Sequence, residues 1–75
     1  MNSKIRTSVR NKARLACGLA NILKYDINNL MTDVEEFYLD ELFETVQETK
    51  ETLQNLMDTI TEIEYALYLD KVRES

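Results

Sequence analysis

The chain has no proline, no histidine and no tryptophan, and only one glycine and one cysteine in 75 residues. Each absence removes a class of structure or chemistry. Without proline, and with Gly18 alone, the usual punctuation of tight turns is missing. Cys17 has no partner within the chain, so an internal disulfide framework is excluded. Without histidine and with one thiol, the common zinc ligand sets cannot be assembled, and no metal or cofactor is expected. The general base of a Ser-His-Asp or Cys-His arrangement is missing too. Neighbouring acids such as Glu35–Glu36 and Asp40–Glu41 point in different directions from a helix and do not make a catalytic pair. Carboxylate-bridged metal sites in bundles use Glu-x-x-His, and neither an EF-hand loop nor phosphate-cradling glycines are present. The expectation is a protein that is not an enzyme.

Long apolar runs are absent as well, and nothing approaches the roughly 18 residues of a membrane span. The first 25 residues hold Lys4, Arg6, Arg10, Lys12, Arg14 and Lys24 and no acid. Leu15–Leu23 after this basic stretch is interrupted by Gly18 and Asn21, which argues against a signal peptide. Leu15-Ala16-Cys17 is preceded by Lys12 and Arg14 where a lipoprotein signal would be apolar. Cleavage of a transit peptide would leave little more than one helix. A soluble cytoplasmic protein with a reduced thiol is expected.

What remains is 44% hydrophobic and 31% charged, rich in Leu, Glu, Ala, Lys and Arg. These are helix formers, so an all-α chain is expected. Leu39, Leu42, Val46, Thr49, Leu53, Leu56, Ile60, Ile63 and Leu67 alternate at spacings of 3 and 4 residues. That is a heptad seam with one polar member, backed by Glu41, Glu44, Gln47, Glu48, Glu51, Gln54, Asn55 and Asp58. Thr32-Asp33-Val34-Glu35 reads as a capping box in front of it. A second seam joins Val9, Ala13, Ala16, Ala20, Leu23, Ile27 and Leu30, and Leu15, Leu19 and Ile22 form a further apolar row. The flank of the alanines makes Cys17 a small buried hydrophobe in this reading. The sequence thus predicts one helical-hairpin domain over residues 1–75, with helix 1 over about 4–28, a turn over about 28–32 and helix 2 over about 33–72. An alternative begins helix 2 at Asp26.

A chain this short buries only about 60% of its unfolded surface. With disulfides and metals excluded, a homo-oligomer, dimer or larger, is the expected support, completing a helical bundle. Its core is expected to contain Ala13, Ala16, Ala20, Leu23, Leu39, Leu42, Val46, Leu53, Leu56, Ile60, Ile63 and Leu67. In size and form this layout resembles the small bundle proteins of plasmids and phages, and no motif narrows it to a family.

Charge is divided unevenly: residues 1–25 carry +6 and residues 26–75 carry −11. Three readings follow. In the first, the helices neutralise each other, with Arg14 opposite Glu48 and Arg10 near Glu51 across a turn near Leu30. In the second, Arg6, Arg10, Lys12 and Arg14 contact nucleic-acid phosphates, with no aromatic among them for base stacking. In the third, Glu41, Glu44, Glu48 and Glu51, extended by Asp58, dock on a basic groove of another protein. A turn near Leu30 also brings Met1 near Thr61, leaving an apolar overhang with Tyr65, Tyr68, Leu69 and Val72 on one face as protein-binding anchors. The favoured expectation is a small acidic regulator or inhibitor, of the kind phages and mobile elements encode, that binds a host protein. The alternative is a nucleic-acid-binding bundle using the basic stripe. A small-ligand pocket near Lys24 and Tyr25 is a third, weaker class.

Overall fold

A computed structural model describes residues 3–36 and 38–74, the last of these by its backbone alone. They form two helices, α1 over Ser3–Glu36 and α2 over Leu39–Glu74, packed as an antiparallel hairpin. No strand occurs among the described residues. The body measures 56 × 16 × 12 Å, with a radius of gyration of 16.9 Å. A compact globule of this length would have a radius near 11 Å. The hairpin is a plank two helices wide and one helix thick.

The turn lies some eight residues later than the sequence pattern predicts. Asn28, Asn29 and the supposed capping box are all within α1. The Thr32 hydroxyl donates to the Asn28 carbonyl at 3.2 Å, one turn back, instead of capping a new helix. Such back-bonding is what a threonine does once the surrounding helix continues. A cap contributes about 1 kcal/mol, which the continued pairing of α1 through Leu30 and Asp33 outweighs. The break comes at Tyr38. Its N–H donates to the Asp33 carbonyl at 3.2 Å, five residues back, closing α1. Its own carbonyl accepts from the Leu42 N–H at 2.8 Å, opening α2. Asp40 and Glu41 in the first turn of α2, with Lys71 and Arg73 in its last, both suit the helix dipole.

Two pairs of side chains fix the register across the hairpin. The Thr45 hydroxyl donates to Asp33 Oδ2 at 2.7 Å, and the Thr52 hydroxyl to Asp26 Oδ2 at 3.0 Å. Extending this register puts Arg14 beside Glu64 and Tyr65, about 24 Å from the expected level of Glu48. The same shift removes the overhang: α1 has 34 residues and α2 has 36, and they pair along their lengths. Met1, whose expected place was near Thr61, lies outside the described residues.

The seam between the helices is half polar. From α1 it takes Ile5, Val9, Lys12, Ala16, Leu19, Leu23, Asp26, Leu30 and Asp33, all buried or half-buried. From α2 it takes Leu42, Thr45, Thr49, Thr52, Leu56, Thr59, Ile63, Ala66 and Asp70. Ala16 is the one buried hydrophobic residue among those described, whereas Asp26, Thr49, Thr52, Thr59 and Asp70 are buried polar residues. Thr49 and Thr59 direct their hydroxyls to the carbonyls of Thr45 and Asn55, so burying them leaves no donor unpaired. The accessible surface is 6061 Å² for an 8.8 kDa chain. A globular monomer of that mass exposes about 4,800 Å². Large apolar side chains such as Leu39, Phe43 and Met57 are part of this excess, with no further layer to cover them.

Candidate interaction surfaces

Both heptad seams of the sequence are split by the structure. Val9, Ala16, Leu23 and Leu30 of α1, and Leu42, Thr49, Leu56 and Ile63 of α2, do lie between the helices. Each of these columns has two neighbours, one three residues on and one four residues on. The column three residues on turns toward the other helix and contains Lys12, Leu19, Asp26 and Asp33 in α1 and Thr45, Thr52, Thr59 and Ala66 in α2. The column four residues on stays outside. Of the expected oligomer core, Ala13, Ala20, Leu39, Val46, Leu53, Ile60 and Leu67 are therefore exposed, whereas Ala16, Leu23, Leu42, Leu56 and Ile63 pack within the hairpin. Leu39 is 75% exposed and Ile60 51%. Cys17 is also exposed and not the buried thiol expected, because the alanine column it flanks faces out.

The two outward columns share one side of the plank. Both lie four residues beyond the seam, a rotation of the same sense in each helix. Since the helices face one another and run in opposite directions, the same rotation carries both columns to the same side. The register sets Ala13 nearly level with Leu67, Ala20 with Ile60, Ile27 with Leu53, and Val34 with Val46. Phe43 and Met57 widen this side along α2, and Met31 widens it along α1; all three are exposed. A continuous apolar face runs along most of the hairpin, far beyond the scattered hydrophobics of an ordinary surface.

The opposite side is polar over α2. Glu41, Glu44, Glu48 and Glu51 are exposed there, together with Asp58 and Glu62. Further along the same side Tyr65 is exposed and Leu69 half-buried. Lys12, Thr61, Glu62, Tyr65, Ala66 and Leu69 line an open hollow of about 460 Å³. Tyr68 and Val72 are exposed, so three of the four expected anchors reach solvent, on a paired segment and not on an overhang. Leu15 and Ile22 of α1 are exposed on this side too.

Charge follows the long axis. The half nearest the turn, residues 20–58, carries ten acids against Lys24 and Lys50. The open end brings Lys4, Arg6, Arg10, Lys12 and Arg14 together with Lys71 and Arg73, against Glu62, Glu64, Asp70 and Glu74. The expected pairing of Arg10 and Arg14 with Glu51 and Glu48 does not form, because the later turn carries those acids away. Arg6, Arg10 and Arg14 are exposed, whereas Lys12 is half-buried with its Nζ 3.4 Å from Ser8 Oγ. Lys24 and Tyr25 are exposed neighbours about 100° apart around α1, and neither lines the hollow at Lys12 and Tyr65.

Among the described residues no group of three or more acids or thiols is placed to hold a metal ion, and no helix is long and apolar enough to cross a membrane. The signal for the polar seam was present in the sequence, as aspartates at 26 and 33 and threonines at 45, 52 and 59, each seven residues apart. Compared with models of protein families, with curated proteins and with solved structures, the chain matches none of them.

Proposed function

We propose that the protein is a helical interaction module that self-associates through its apolar side and presents its acidic side to a basic surface of another protein. The single observation that carries this reading is the division of α2: Val46, Leu53, Ile60 and Leu67 on one side of the plank, Glu41, Glu44, Glu48 and Glu51 on the other. An enzyme would need convergent polar groups in a cleft, and the hollow described above is open to solvent, with Lys12, Glu62 and Tyr65 beside Ala66 and Leu69. A binding protein needs only an exposed surface of suitable shape and charge. The row Glu41, Glu44, Glu48 and Glu51 repeats at helical spacing over about 15 Å, a suitable length to lie in a basic groove. Occupying a groove used by another acidic ligand makes such a module a regulator or inhibitor of its target, acting by competition.

Affinity capture from lysate with and without nuclease tests the class of partner. Wild type should retain a protein partner after nuclease treatment, and Glu44→Lys with Glu48→Lys and Glu51→Lys should lose it. Capture that vanishes with nuclease overturns the reading.

The second reading, contact with nucleic acid at the open end, is favoured by the five cations within residues 4–14. It predicts salt-dependent retention on DNA or RNA that Arg6→Ala, Arg10→Ala and Arg14→Ala together abolish.

A further inference from the structure

We propose that the apolar face is covered by a second copy of this chain, stacked face to face with its turn at the opposite end, giving a four-helix bundle in which neighbouring helices are all antiparallel. This rests on the self-association above and specifies its geometry. Three features of the hairpin bear on it.

The first is area. A plank of 56 × 16 Å offers a footprint of roughly 900 Å² per copy, matching the 800 Å² or so that each partner gives to a stable interface. The excess accessible surface of the lone hairpin is of the same order, and the face has no other layer to pack on.

The second is charge. The acidic row lies on the far side of the plank, so the charges that matter are those bordering the apolar face, among them Lys50 and Glu64 on α2. The two-fold axis of the reversed arrangement passes between the Ala20–Ile60 and Ile27–Leu53 levels. Helix α2 then runs antiparallel to its own equivalent, and Lys50 comes opposite Glu64 of the second copy, twice. Lys50 and Glu64 are both exposed at the α2 edge of the apolar face, and they stand 14 residues apart on one helix, about 21 Å. They cannot meet within a chain.

The third is volume. The α1 side of the face is small near the open end, with Ala13 and Ala20, and large near the turn, with Ile27 and Val34. Reversal packs the alanines of one copy's α1 against the branched side chains of the other's, so that large meets small along α1. Stacking the same way round would set Ala13 and Ala20 over Leu67 and Ile60, which fits equally well, so volume admits the reversed arrangement and charge selects it.

The test is sedimentation equilibrium of the full chain at low ionic strength, with helicity followed by circular dichroism. Wild type is compared with Lys50→Glu, Glu64→Lys and the double exchange. The expected result is a dimer at micromolar concentration, weakened about tenfold by either single change and restored to within about twofold by both together. Both positions are exposed, so the helix content of each variant at dimer-forming concentration should match wild type. If the double exchange is no tighter than the single changes, the reversed stacking is wrong while self-association stands. If wild type remains a helical monomer throughout, self-association and this arrangement fall together.

Discussion

Asp26 and Thr52, 26 residues apart in sequence, meet inside the hairpin at 3.0 Å, and both are buried. The Thr52 hydroxyl also lies 3.1 Å from the Glu48 carbonyl, and it has one proton to give. A carboxylate is the stronger acceptor, so the cross-helix bond is the one to defend. Asp33 and Thr45 repeat the arrangement one heptad nearer the turn. Together they pin the register of two helices whose apolar contacts alone would tolerate sliding.

Thr52→Val should therefore destabilise the hairpin by about 1–2 kcal/mol, because it leaves the buried Asp26 carboxylate without its donor. Combining Asp26→Leu with Thr52→Val should recover the loss or exceed it, since both polar groups are then gone. Urea denaturation at one fixed protein concentration measures both. A double variant less stable than Thr52→Val would show that the pair contributes more than register.

Gly18 sits in the middle of α1 on an outward position, and a Cβ there would meet nothing within 4 Å. No close approach requires the glycine. Gly18→Ala should raise stability by about 1 kcal/mol through backbone entropy alone. The midpoint of thermal unfolding should rise by several degrees without any change in sedimentation.

Leu53 and Leu56 separate the two kinds of apolar position. Leu56 is half-buried in the seam, and Leu56→Ala should cost about 2 kcal/mol by opening a gap between α1 and α2. Leu53 is 46% exposed on the apolar face. Leu53→Asp should leave the contacts within a hairpin intact while shifting the sedimenting species to half its mass. An unchanged mass for Leu53→Asp would argue that nothing covers this column.

Tyr65 and Tyr68 are each 62% exposed and lie away from the apolar face. Replacing both with alanine should change stability by less than about 0.5 kcal/mol and leave the oligomer intact. Loss of a captured protein partner in that variant would assign them to binding, and a smaller species on size exclusion would return them to the assembly.

The helices, their antiparallel order and half of each seam were legible from the spacing of Leu, Ile, Val and Ala. The other half was not, for a specific physical reason. A column such as Leu42–Thr49–Leu56–Ile63 is flanked by two others, and hydrophobicity alone favours the greasier flank, Val46–Leu53–Ile60. The structure gives that flank to the outside and turns the threonine flank inward, where Thr45 and Thr52 donate to Asp33 and Asp26. Composition patterns weigh residues one helix at a time, whereas this choice depends on what stands opposite. The turn was misplaced for a related reason: Thr32–Glu35 has the chemistry of a cap, and only the pairing of Asp33 with Thr45 shows that α1 continues past it. The acidic row and the basic end were correctly located along the chain, but their relation to each other follows from the turn and was lost with it.

The bend at Tyr38 also sets an order in time. Contacts across a hairpin close loops that lengthen steadily away from the bend: 12 residues for Asp33–Thr45 and 26 for Asp26–Thr52. From the open chain a loop twice as long costs about 0.6 kcal/mol more to close, so contacts nearest the bend are the least costly to make first and closure proceeds from the bend outward. The polar pairs thus form first and commit the alignment before the cationic ends come together. Amide hydrogen exchange should record this as protection that declines from the Asp26–Thr52 level toward Ile5, the last turn to shut and the first to open.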